Sequence, residues 1–195
     1  MSPREIAKAA ARALATLAVS PALLSYALKA AALGPNRALE SSSQTLSLIP
    51  GVLGTYLRTA FLRRVLAHCD VTATVEFGVL FSQTGTRLDR NVYIGPRCHI
   101  GLAHLESDVL LGAGVHVPSG ARTHETADLD TPIRDQGGTR TMVRIGKGTW
   151  IGSSAVVMAD VGESSIIGAG SVVTKPIPEK VLAAGVPARV IKARG

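Results

Sequence analysis

An aliphatic residue recurs every sixth position over much of this 195-residue chain. In "VRIGKGTWIGSSAVV" (143–157), Ile145 and Ile151 lie six apart, and a glycine follows each. The beat runs through Leu88, Ile94 and Ile100, then Leu111 and Val117, then Ile145, Ile151 and Val157, then Ile167 and Val173. Helices repeat at 3.6 residues and strands at 2, so six is a multiple that only short strands separated by corners can satisfy. A second position, four after each aliphatic, is small or β-branched: Val92, Cys98, Val115, Thr149, Ala155 and Ser171. Self-similarity at six residues is the mark of a hexapeptide β-helix. The chain is 46% apolar but only 4% aromatic, as a core of stacked aliphatics requires. Cys98 falls on the small inward position and is expected to pack in that core. Two cysteines do not make a disulfide scaffold.

The N-terminal part lacks the beat. Residues 3–33 are rich in Ala and Leu and predict helix, broken by Pro21 into two. Gly34-Pro35-Asn36 ends the run, and "SSSQTL" (41–46) reads as a linker. Leu53, Tyr56, Leu57, Ala60, Phe61 and Val65 then fall at helical spacing, accompanied by Arg58, Arg63 and Arg64. Two readings stand for this segment: a helix that caps the open end of the β-helix, or a basic amphipathic helix on an anionic membrane. The formal net charge is +7. Residues 1–70 hold eight Lys/Arg against three acids, and residues 71–195 hold thirteen against eleven. No basic stripe interleaved with aromatics points to nucleic acid.

The coil is predicted to slip between Ile100 and Leu105 and between Val157 and Ile167. Its large interruption is 118–142, "PSGARTHETADLDTPIRDQGGTRTM", an extruded polar loop. His99 and His116 each precede an inward aliphatic, so both should point outward and stack about one coil apart.

The stretches "SGARTHETADLDTPI", "IGKGTWIGSSAVVMADV" and "IIGAGSVVTKPIPEKVLAAGVPARVIK" resemble the hexapeptide-repeat acyltransferases, in particular the maltose, galactoside and capsule-polysaccharide O-acetyltransferases. The resemblance covers residues 88–192. It implies a mainly β fold, a left-handed parallel β-helix over 68–175 with a coenzyme A-binding tail over 176–195, to which the helical pattern read above adds an α-helical extension over 1–67. It implies a homotrimer, with acetyl-CoA or another acyl-CoA as co-substrate and no metal. The acceptor would be a small-molecule or lipid-linked sugar. The expected place is the cytoplasm, at the inner membrane face if the N-terminal helices touch lipid.

Acyl transfer to a hydroxyl needs a base, and histidine suits that near neutral pH. The family's catalytic histidine follows a Ser-Gly or Thr-Gly turn, which here designates His124 after Ser119-Gly120, with His116 second and Glu125 to orient the imidazole. For the donor, the resemblance designates Trp150, Ser153, Gly168, Ala169, Thr174, Lys175, Arg189 and Lys192. Two departures bear on the acceptor. Arg122 stands where many relatives have a second histidine, and "CHIGLAHLE" lacks the aspartate that grips the sugar. Two other classes fit the same coil: a non-catalytic scaffold, and a zinc enzyme like the hexapeptide carbonic anhydrases, for which His99 and His104 have a suggestive spacing.

Overall fold

A computed structural model describes residues 2–195. Four helices come first: α1 (Pro3–Ala18), α2 (Ser20–Leu33), α3 (Pro35–Ser47) and α4 (Gly51–Val65). A parallel β-solenoid of about six turns follows. Its first face is β1 (His68–Cys69), β4 (Arg87–Leu88), β7 (Ala103–Leu105) and β10 (Val143–Ile145). The second is β2 (Thr74–Val75), β5 (Tyr93–Ile94), β8 (Leu110–Leu111), β11 (Trp150–Ile151), β13 (Ile166–Ile167), β15 (Val181–Gly185) and β16 (Ala188–Ala193). The third is β3 (Leu80–Phe81), β6 (His99–Ile100), β9 (His116–Val117), β12 (Val156–Val157) and β14 (Val172–Val173).

The period of six is one strand and one corner. The second residue of each two-residue strand points inward, so like aliphatics stack in register. Val75, Ile94, Leu111, Ile151 and Ile167 form one such column, all fully buried. Burying each side chain contributes about 1.5–3 kcal/mol. The second inward position is equally closed: Val92, Cys98, Val115, Thr149, Ala155 and Ser171 are at most 1% exposed. Thr149 is tolerated there because its hydroxyl donates to the Gly162 carbonyl at 2.8 Å.

The glycine that directly follows an inward aliphatic serves by closeness rather than by positive φ. A β-carbon on Gly152 would lie 2.5 Å from the Ala169 amide nitrogen of the next coil. The left-handed corner positions are shared between glycines (Gly78, Gly114, Gly148 and Gly170) and other residues, among them Asn91, Arg97, Asp108, Ser154, Ser164 and Lys180.

Three expectations change. Residues 41–46 are not a linker but the second half of α3. Ser42, Ser43 and Ser47 are buried there, and the Ser43 hydroxyl bonds both the Phe81 amide and its carbonyl at 3.2 Å. Small hydroxyls let the helix approach the first coil closely. Next, Arg58 does not belong to an exposed basic set on α4: it is 3% exposed, and Ala60, Phe61, Leu62 and Val65 are buried in the solenoid's core cluster, whereas Arg63 and Arg64 stay exposed. Finally, parallel pairing continues past residue 175. β15 adds to β13, and β16 turns back antiparallel as the last edge strand. Arg189 and Lys192 on that edge also discourage edge-to-edge pairing.

Candidate active site

Loop 118–142 leaves the corner after β9 as a zipped arm. Thr141 donates its amide to Ser119 O (2.9 Å), Thr139 to Arg122 O (2.8 Å), and Glu125 to Gly137 O (2.7 Å). Asp128 closes the tip: its carboxylate accepts from the Asp130 and Thr131 amides and from the Thr131 hydroxyl, which holds it below the usual carboxylate range. A β-carbon on Gly138 would fall 2.1 Å from Thr123 O and 2.9 Å from the His124 amide nitrogen. Only glycine closes the arm at that point.

At the root of the arm is a cleft of about 660 Å³. His99 and His116 line it from the third face, Thr123, His124 and Arg140 from the arm, and Asn36, Arg37 and Glu40 from α3. The His99 and His116 rings stack with centroids 4.9 Å apart and planes 14° apart, as register pairing of β6 with β9 demands. His116 is open to solvent on one side, yet burial by the coil lowers its pKa from 6.5, and His99 lowers it further. Its imidazole is therefore neutral, and able to accept a proton, at neutral pH.

The residues singled out in the sequence divide between places. His116 and His124 meet in the cleft. Glu125 is exposed and is not among the cleft residues; among the described residues no hydrogen bond joins its carboxylate to His124. Trp150 stands outward on the second face, half exposed. It is in register with Ile166, Leu182 and Lys192 across β13, β15 and β16. Ser153, Gly168 and Ala169 lie on the corner that follows the second face, where Gly170 donates its amide to Ser153 O at 2.9 Å. Arg189 pairs with Ala184 beside that corner. Thr174 and Lys175 lie on the next corner, after β14, in the same column as the cleft residues Ser82, Gly101 and Ser119.

Asn36, Arg37 and Glu40 escaped sequence reasoning, since nothing in their spacing ties them to a coil. Asn36 anchors them: its side-chain oxygen accepts from the Thr84 amide at 2.9 Å. Glu40 brings to the cleft a carboxylate that the coil itself does not supply. The thiols are not candidates for a nucleophile, because burial pushes Cys98 up to about 11 and Cys69 up to about 12. Nor do His99 and His104 converge on a metal within a subunit. His104 sits on the first face, its Nε2 3.1 Å from Asp89 Oδ2.

The hexad-built solenoid thus carries a cleft lined by three histidines at the root of an extruded arm. The model for the bacterial transferase hexapeptide (six repeats) matches residues 142–175. Galactoside O-acetyltransferase of Escherichia coli (strain K12) is 56% identical over 141 residues, 69% of this chain and 68% of that one. A galactoside acetyltransferase solved in complex with coenzyme A superposes with a TM-score of 0.68 at 27% identity, over 82% of each chain. The two galactoside comparisons give different identities over different stretches; the 27% value spans more of the chain and is the more conservative measure. A maltose O-acetyltransferase from Clostridium difficile 630 superposes with a TM-score of 0.67 at 21% identity, over 82% of this chain and 88% of that one, a likeness of fold. This chain belongs to the hexapeptide-repeat acyltransferases.

Proposed function

We propose that the enzyme transfers an acetyl group from acetyl-CoA to a hydroxyl of a sugar or glycoconjugate, with His124 as general base. The observation that carries this reading is the cleft in which His124, His116 and His99 face Arg37 and Glu40. His124 takes the proton as the acceptor oxygen bonds to the thioester carbonyl carbon; the carbon–sulfur bond breaks, and the proton passes to the departing thiolate. Arg37 and Glu40 offer the charge and hydrogen-bond partners that a polar acceptor needs. The galactoside relatives support a sugar acceptor. Use of an acyl-CoA donor supports a cytoplasmic setting for the reaction.

The direct test is thermal unfolding with and without acetyl-CoA. A ligand that binds only the folded chain stabilises it by about 2.7 kcal/mol at a hundred times its Kd. The expected upward shift shrinks in Trp150→Ala and in the double variant Lys175→Gln, Arg189→Gln. No shift at any acetyl-CoA concentration would reject the donor assignment.

The donor residues also support a trimer. Trp150, Ser153, Gly168 and Ala169 lie on the second face and its corner, away from the cleft on the third face. A donor touching both sets bridges two subunits. Mixing inactive His124→Ala chains with inactive Trp150→Ala chains should therefore restore activity once subunits exchange. A mixture that forms hetero-oligomers yet stays inactive would place both sets in one subunit's site.

A further inference from the structure

A second cleft, of about 350 Å³, lies between α1, α4 and the corner that leads into β2. It shares no lining residue with the histidine cleft. Its volume falls in the range of small-molecule sites, about 300–1,000 Å³. The floor is apolar: Ala60 and Ala73 are buried, and Val71 is half-buried beside them. Lys8 and Arg12 line it from α1, about one turn apart, and Arg63 lines it from α4. The hydroxyls of Tyr56 and Thr74 add neutral donors to the same wall.

No carboxylate lines this cleft among the described residues. Nor do Lys8, Arg12 and Arg63 take part in an ion pair there. Two carboxylates feel these cations, Glu5 that of Lys8 and Asp70 that of Arg63. Both are held elsewhere. Glu5 accepts from the Ser2 amide at 2.7 Å, and Asp70 Oδ1 accepts from the Thr72 amide and hydroxyl at 2.8 and 2.6 Å. Three like charges around one cleft repel one another and focus a positive potential into it. An anion between them removes that repulsion. A phosphate monoester carries a charge of about −1.5 to −2 near neutral pH. Its oxygens also match the forked donors of two guanidinium groups.

We propose that this cleft binds a small soluble phosphate monoester, its phosphate held by Lys8, Arg12 and Arg63 and its organic part against Ala60 and Ala73. The site does not rest on the acetyl-transfer reading. A soluble ester fits better than a lipid headgroup. The exposed leucines of α1, Leu14 and Leu17, lie on the opposite side of the helix from Lys8 and Arg12, so a bilayer meeting them stands away from the cleft.

Isothermal titration calorimetry of the full chain with inorganic phosphate and with glucose 6-phosphate tests the proposal, at an ionic strength fixed with chloride. Binding at one equivalent per chain is expected, and none with glucose. Arg12→Gln combined with Arg63→Gln should weaken it about tenfold or more, since a hydrogen bond between charged groups is worth about that factor. The same variant should match or exceed the parent's Tm in chloride, because it loses repulsion and no ion pair. Lys8→Gln changes only an exposed side chain and should weaken binding by a smaller factor; it decides the matter if the double variant fails to fold. Three results overturn the proposal. The first is no heat from either phosphate beyond the chloride background. The second is equal affinity in the parent and the folded variants, which would put the phosphate elsewhere. The third is binding confined to phosphatidylcholine vesicles that contain phosphatidic acid, which would assign the cations to a lipid headgroup.

Discussion

Replacing His124 with alanine should lower kcat/KM by about 10²–10⁴-fold, the usual contribution of a positioned general base, while acetyl-CoA affinity stays within a factor of two or so of the parent. The loss falls on chemistry because His124 stands on an arm zipped by backbone bonds between Ser119 and Thr141 and between Arg122 and Thr139. Truncating one exposed side chain leaves those bonds intact. His116 is the competitor, since it lines the same cleft and its lowered pKa keeps it neutral. A histidine whose folded pKa is below 6.5 becomes protonated only at lower pH, so with His116 as base the acid limb of kcat/KM has its midpoint below 6.5. Full activity in His124→Ala, with loss in His116→Ala and that acid limb, would transfer the role to His116.

The largest expected stability effect lies at Arg58. Its Nε donates to Val75 O at 2.9 Å, and one Nη donates to Leu46 O and Ile49 O at 3.2 and 2.7 Å. The guanidinium thus ties the α3–α4 corner to the first coil. Its remaining Nη is buried without a partner among the described residues, and burial lowers its pKa. Arg58→Met fills similar space but leaves the Val75 and Ile49 carbonyls without this donor, while Leu46 O keeps only the Ile49 amide at 3.4 Å. The cost is about 3 kcal/mol or more, because unsatisfied buried polar groups are expensive. For a chain of this size that is a fall in Tm on the order of 10 °C. Differential scanning calorimetry measures it directly; a variant within about 1 kcal/mol of the parent would mean water replaces the guanidinium at no loss.

The period of six made the solenoid legible, because every coil repeats one steric requirement and the repeats agree with one another. The stacking of His99 on His116 was legible for the same reason: once inward positions are known, outward neighbours follow from register. The arm was visible as a break in the beat. What the sequence hid depends on packing between distant segments. Ser42, Ser43 and Ser47 look like linker residues until the first coil is placed against them. Arg58 looks like a surface charge until the Val75 carbonyl arrives beside it. Arg37 and Glu40 reach the cleft only because α3 docks on β3, a contact with no local signature.

In the proposed reaction an acetyl group leaves coenzyme A for a hydroxyl at the three-histidine cleft. Release of free coenzyme A thiol from acetyl-CoA, measured with galactosides, maltose and short glycans as acceptors, tests it most directly. Acceptor-dependent thiol release is expected, matched one for one by an O-acetylated product and lost in His124→Ala. Acetyl-CoA that binds and stabilises the chain while no acceptor is ever acetylated would contradict it.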